Sequence, residues 1–204
     1  MRYSPVLFAI ALFLVSCGSN TSIVQSWRDP DTSVQQGSIK KMLIIALMRD
    51  EATRRQTEDE LGTQFKGRGV SSYNYLGPLP AELETAPFLE RLRTDGIDAI
   101  MVMRLVDISK EQTYVPGAYP SYYGSPYGYY GHAYGMYSDP GYVRTDMSYR
   151  VESNFYSVQQ AKLVWSGVTS SMNPTDLTST ISEIVVAIRE KMQREGFLTT
   201  PPTP

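Results

Sequence analysis

Met42-Leu43-Ile44-Ile45-Ala46-Leu47-Met48 is apolar at every position, which suits a strand covered on both faces better than one with a wet side. Its flanks set the context. Asp50 is placed to cap a helix from Glu51 to about Lys66, and Gly67 and Gly69 stop it. Val70 to Leu76 reads as the next strand, broken by Pro78 and Pro80. A second helix centres on Phe88, Leu89 and Leu92, with Pro87 in its first turn and Gly96 just past its end. Ile97 to Ile108 follows as a strand, apolar on both faces at Ile100-Met101-Val102-Met103. Strand, helix, strand, helix, strand is the order of a parallel sheet with right-handed crossovers.

The second half changes character. Val143, Met147, Tyr149, Val151 and Phe155 are apolar while Arg144, Asp146, Arg150, Glu152 and Asn154 between them are polar. Such alternation predicts a strand with one face on the core and one in water. A turn over Val158 to Gln160 leads into Ala161 to Gly167, so the two strands pair as an antiparallel hairpin. Asn173 reads as a helix cap, with Pro174 in the first turn and Asp176 near the positive end of the dipole. Leu177, Ile181, Ile184, Val185, Ile188 and Met192 recur at helical spacing up to Gly196. The expected architecture is a single α/β domain over 23–198, a mixed sheet of five to six strands packed by three helices. A tail over 199–204 is read as disordered.

Of 204 residues, 19 are basic and 21 acidic, for a net charge of −2. A chain so nearly neutral lacks the Lys and Arg excess that phosphate-backbone binding needs, so nucleic acid is not an expected partner. After Arg2 and Pro5 the run Val6 to Val15 is apolar for 10 residues. As a helix it would cover about 15 Å, half of a hydrocarbon core, which suits a signal-peptide core and not a membrane span.

Leu14-Val15-Ser16-Cys17 closes that run and resembles the lipobox of bacterial lipoprotein precursors. The resemblance implies a signal peptide over 1–16 and a mature chain beginning at Cys17, carrying diacylglycerol and an N-acyl chain such as palmitate. Gly18 and Ser19 follow it in place of the Asp that resembles an inner-membrane retention signal, so the expected address is the outer membrane, facing the periplasm. A short tether over 17–22 would hold the domain close to the bilayer. The leader, the strand ending near Met48, the helix carrying Arg54, Arg55, Glu58 and Asp59, and Lys162-Leu163-Val164-Trp165 together are similar to small bacterial envelope lipoproteins of unknown function. Their α/β fold resembles the N-terminal domain of TolB and LpoB. That family supplies no catalytic residues, and the short tether departs from the long linkers of LpoB-like proteins.

Gln112 to Tyr142 holds ten Tyr, six Gly and four Pro. Glycine and proline deny regular structure there, while tyrosine offers large amphipathic faces. The stretch is read as a long insert at one edge of the fold, with three readings open: a loop without a fixed partner, a protein-binding or self-associating surface, or a glycan-binding one. Tyr114, Tyr119, Tyr122, Tyr123, Tyr127, Tyr129, Tyr130, Tyr134 and Tyr137 are the candidate contacts.

Little else in the sequence points to chemistry. His132 is the only histidine and lies within the insert, where a general base would lack fixed geometry and a metal would lack co-ligands. Gly-x-Ser-x-Gly and a phosphate loop do not occur. No catalysis, metal or cofactor is expected. One polar group falls on a predicted rigid element. Arg54, Glu58, Leu61 and Phe65 share a helix face near the strand end where open α/β sheets bind ligands. Arg54 and Glu58 are therefore either an ion pair, with Arg55 and Asp59 as its exposed twin, or a site for a small anion or peptide terminus. The expected partners are the bilayer through acylated Cys17, an envelope protein or glycan, and in the alternative reading other copies of the chain.

Overall fold

The computed structural model describes residues 20–77, 86–115 and 141–199. In chain order these form β1 (Thr21–Arg28), β2 (Val34–Gln35), β3 (Met42–Leu47), α1 (Glu51–Gln64), β4 (Gly69–Ser71), α2 (Ser72–Tyr75), α3 (Ala86–Thr94), β5 (Ala99–Val115), β6 (Tyr142–Ser157), β7 (Lys162–Met172), α4 (Leu177–Arg194) and β8 (Leu198–Thr199). Six strands make one sheet in the order β1-β7-β6-β5-β3-β4, and β2 and β8 form a separate parallel pair. Strand β3 is parallel to β4 and β5, whereas β5, β6, β7 and β1 are antiparallel to their neighbours. The mixed α/β sheet follows the sequence reading, with a single-turn helix, α2, added to the three expected.

Strand β3 is fully covered from Met42 to Ala46, as its unbroken apolar run requires. One of its faces joins a core with Leu61, Met101, Phe155, Trp165 and the α4 stripe Ile181, Ile184, Val185, Ile188 and Met192. The other packs Leu43 and Ile45 against Leu92, Ile97 and Val158. Full burial of each such side chain contributes roughly 1.5–3 kcal/mol.

Several boundaries differ from the sequence reading, each for a visible reason. Strand β1 begins at Thr21, so Thr21 and Ser22 already belong to the sheet. Strand β4 stops at Ser71 and does not run to Leu76, because the buried Glu58 carboxylate accepts from the Ser72 hydroxyl and the Tyr73 N–H and nucleates α2. The cap of α4 is Asp176, which accepts from Ser179 N at 2.8 Å, and not Asn173. Thr199 pairs with Gln35 in β8. The largest difference is β5, which passes Ile108 and reaches Val115, and Gln112 to Val115 and Tyr142 are paired strand. The Gly and Pro residues of the insert fall between Pro116 and Gly141. The Gln-Thr-Tyr-Val that precedes them has a composition favourable to a strand.

Trp165 is the centre of the larger core. It is fully buried and stands edge-on to Phe155, with ring centroids 5.8 Å apart and planes at 74°. It also lies across Gly167, where a Cβ would fall 2.2 Å from Cη2. Its indole N–H donates to Glu195 Oε2 at 3.0 Å, and Glu195 Oε1 accepts from the Ser26 hydroxyl at 2.6 Å and pairs with Lys191 Nζ at 3.3 Å. One carboxylate thus joins β1, β7 and the end of α4. Partial burial pushes its pKa up, but the hydrogen bonds from Ser26, Trp165 and Lys191 outweigh this and hold it below the usual value.

Gly167→Ala drives a methyl group into the indole and is expected to cost about 1–3 kcal/mol in urea unfolding. Gly62→Ala, whose Cβ meets nothing within 4 Å, is expected to gain roughly 0.5–1 kcal/mol as a helix-interior control. Because folding lowers the Glu195 pKa, its contribution is complete above the ordinary glutamate value of about 4.3 and is lost as pH falls through the folded-state value. Glu195→Gln should therefore flatten the acid side of the stability profile measured by thermal unfolding against pH.

Candidate interaction site

Arg54 and Glu58 are brought together as the helix spacing predicts, and both are buried, at 5% and 0% exposure. Glu58 Oε1 accepts from Ala46 N at 3.0 Å, Arg54 Nε at 3.2 Å and the Ser72 hydroxyl at 2.6 Å, and Oε2 accepts from Tyr73 N at 3.0 Å. Arg54 donates further to Glu51 Oε2 at 3.2 Å, Ser72 Oγ at 2.8 Å and the Gly77 carbonyl at 3.4 Å. Four guanidinium N–H groups and both carboxylate oxygens are thus committed to groups of the chain itself. The cluster ties α1 to β3 and α2, and its geometry is that of an internal joint. The expected twin, Arg55 with Asp59, does not form. Arg55 pairs with Glu51 at 2.9 Å and lies over the Tyr73 ring, whose hydroxyl donates to Asp59 at 2.7 Å.

The second candidate, the tyrosine insert, is described only at its roots. Cys17, His132 and the tyrosines from Tyr119 to Tyr137 lie outside the described residues. Tyr114 and Tyr142 lie near the end of a β5–β6 arm whose geometry the sequence did not reveal. Strand β3 accompanies β5 only as far as Arg104, and β7 accompanies β6 only from Ser148 onward. Beyond those points the two strands pair with each other alone among the described residues, out to Val115 and Tyr142. Along this stretch Leu105, Val106, Ile108, Tyr114, Tyr142 and Val143 are exposed.

The base of the arm is clamped. Asn173, held at φ +46°, donates its N–H to the Met147 carbonyl and accepts from Met147 N through Oδ1, both at 2.8 Å. Its Nδ2 donates to Asp146 Oδ1 at 2.8 Å. The hydrogen bond from Asn173, and after it that from Arg144, hold the Asp146 carboxyl below its usual range. Asn173 had only a helix-cap reading from sequence, and its bracing role depends on a pairing 26 residues away.

A third feature is a groove of about 580 Å³ on the α3 side of the sheet. Ile45, Phe88, Leu89, Val102, Tyr156 and Leu163 line it, and Lys162 stands at its rim, paired with Asp29 at 2.6 Å. Among the described residues no group of three or more His, Cys, Asp or Glu could hold a metal ion, and no helix is long and apolar enough to cross a membrane.

No family model matches the chain, and no curated protein matches it. Solved structures similar to it include a PelC dodecamer from Paraburkholderia phytofirmans, with TM-score 0.40 and 11% identity over 82% of this chain and 93% of that one. They also include lipoprotein GNA1162 from Neisseria meningitidis, with TM-score 0.39 and 8% identity over 76% and 98%. A lipoprotein is thus among the similar chains, while TolB and LpoB specifically gain no support. Identities and scores this low transfer no site and no activity.

Arg54→Ala and Glu58→Ala each leave a buried charge without its partner and are expected to lower unfolding free energy by about 3–5 kcal/mol. If the pair is a joint and not a receptor, added phosphate or acetate will leave the melting temperature of the wild type unchanged.

Proposed function

We propose that this chain is a lipid-anchored, non-catalytic binding module of the bacterial envelope, held by diacylglycerol and acyl groups on Cys17 at the outer membrane and facing the periplasm. The observation that carries the reading is the β5–β6 arm. An antiparallel ribbon with apolar side chains exposed on both faces and unpaired edges is costly to leave in water and suited to recruiting a partner. It also holds Tyr114 and Tyr142, at the two ends of the tyrosine-rich segment, exposed and away from the core. An envelope protein or a glycan is the partner class such a surface fits, because aromatic rings bind both without a fixed charge pattern.

A second reading has its own support. The outer edge of β1 and the free edge of β5 beyond Arg104 have no strand partner among the described residues, and open edges pair readily with other copies of the same chain. Self-association through the arm or these edges would make the protein a structural envelope component.

The two readings separate in intact cells. A photo-crosslinking residue at Ile108, on the arm, is expected to give a discrete adduct that the same residue at Lys40, at the far end of the sheet, does not give. A heterologous mass supports the adaptor reading and twice the chain's own mass the structural one. Indistinguishable patterns from the two positions would contradict both. Cys17→Ser should move the protein from the detergent to the aqueous phase on partitioning.

A further inference from the structure

The point where the chain joins the sheet and the point where the arm leaves it lie at the same end of the molecule. Asn20 O accepts from Met172 N at 2.9 Å, Met172 is level with Ser148 in β6, and Ser148 is level with Ser109 in β5. One row of backbone therefore crosses the sheet through Asn20, Met172, Ser148 and Ser109. Strand β1 runs away from this row toward Trp165. Lys110–Val115 and Tyr142–Met147 continue from the same row in the opposite direction.

Two lengths decide what the arm meets. From Cys17 to Asn20 the chain spans at most about 11 Å. The arm beyond the row has six residues in each strand and rises roughly 20 Å. A surface that holds Cys17 by its lipid is therefore within the arm's reach, and the arm is longer than the tether that sets the distance.

The chemistry at the arm's end suits that surface. Tyr114, Tyr142 and Val143 are 59%, 62% and 59% exposed, and tyrosine concentrates where hydrocarbon gives way to headgroups. Arg144, the one charged residue among Gln112–Val115 and Tyr142–Thr145, is paired with Asp146 at 2.8 Å. The segment between Val115 and Gly141 adds eight further tyrosines and no Lys or Arg. The three Asn173 hydrogen bonds at the base fix the direction in which the ribbon leaves the domain.

We infer that the arm is a second membrane contact, with Tyr114, Tyr142 and Val143 resting in the headgroup region of the leaflet that holds the Cys17 lipid. This rests on the proposed acylation of Cys17. A single tether leaves the domain free to tumble, whereas a tether and an arm together fix its tilt and present the same face of the sheet to the periplasm.

The test uses the full-length lipidated protein in vesicles of phosphatidylethanolamine and phosphatidylglycerol, with Val143→Cys or Lys40→Cys labelled by an environment-sensitive fluorophore. The thiol of the chain's one cysteine is consumed by the thioether to diacylglycerol, so each lipidated variant takes one label. Emission at position 143 is expected to shift to the blue and to be quenched by brominated lipid but not by aqueous iodide, with the reverse at position 40. Adding Tyr114→Ser and Tyr142→Ser should return position 143 to the aqueous response at an unchanged melting temperature. Equal responses at the two positions overturn the inference. So does a blue shift that grows with protein density and ignores brominated lipid, which would assign the arm to a second copy. Two labels per chain by mass would show that Cys17 is free, a failure of the anchor and not of the arm.

Discussion

The β5–β6 ladder outruns both of its described strand neighbours, β3 and β7, and the rest of the molecule's character follows from that mismatch. From Ala99 to Arg104 strand β5 is paired on both sides and its side chains are buried or half-buried until Arg104. From Leu105 onward the β3 side is open, and the same strand carries apolar side chains in water. A domain packed on both faces of β3, by Trp165, Phe155 and the α4 stripe on one side and by Leu92, Ile97 and Val158 on the other, can carry such an extension, because the extension takes nothing from either core. Evolutionary accident aside, an uncovered ribbon of this composition invites self-pairing and aggregation unless something else meets it.

Two carboxylates serve as the joints that keep this sheet and its helices in register. Glu58 ties α1 to β3 and starts α2, and Glu195 ties β1 and β7 to the end of α4. Each gathers donors from segments distant in sequence, which a burial pattern alone would leave loosely specified. Close approach does comparable work at Gly69, where a Cβ would fall 2.6 Å from Ile44 Cδ1 and 2.8 Å from Gly62 Cα. Strand β4 can lie this close to α1 only because position 69 carries no side chain. Polar satisfaction and backbone proximity, more than apolar area, decide where these short elements begin and end.

The elements legible in the sequence are those that a local pattern dictates. The unbroken run at β3, the Asp50 cap and the apolar stripe of α4 each need only a window of neighbours to be read. Arg54 and Glu58 were legible as a pair for the same reason. Their meaning was not, because it depends on Ser72, Tyr73 and Ala46 supplying the remaining partners. Asn173 and Asp176 show the same limit. Both have the chemistry of a cap, and only the hairpin 26 residues upstream decides that Asn173 braces the arm while Asp176 caps the helix. The outer half of β5 was invisible because a ribbon wet on both faces has no apolar alternation to read, and β2 and β8 are too short to carry any pattern.

Under the proposed function, a lipid on Cys17 and a clamped aromatic arm leaving from the same end of the sheet together hold a surface in a fixed orientation. Everything in that account depends on the arm's being a ladder and not a pair of loose strands. Amide hydrogen exchange of the lipidated protein measures this directly. The account predicts that inward-facing amides in Lys110–Val115 and Tyr142–Met147 exchange well below free-peptide rates, as part of one ladder with Ala99–Arg104. Free-peptide rates throughout both segments, with protection kept at Ala99–Arg104, would contradict it.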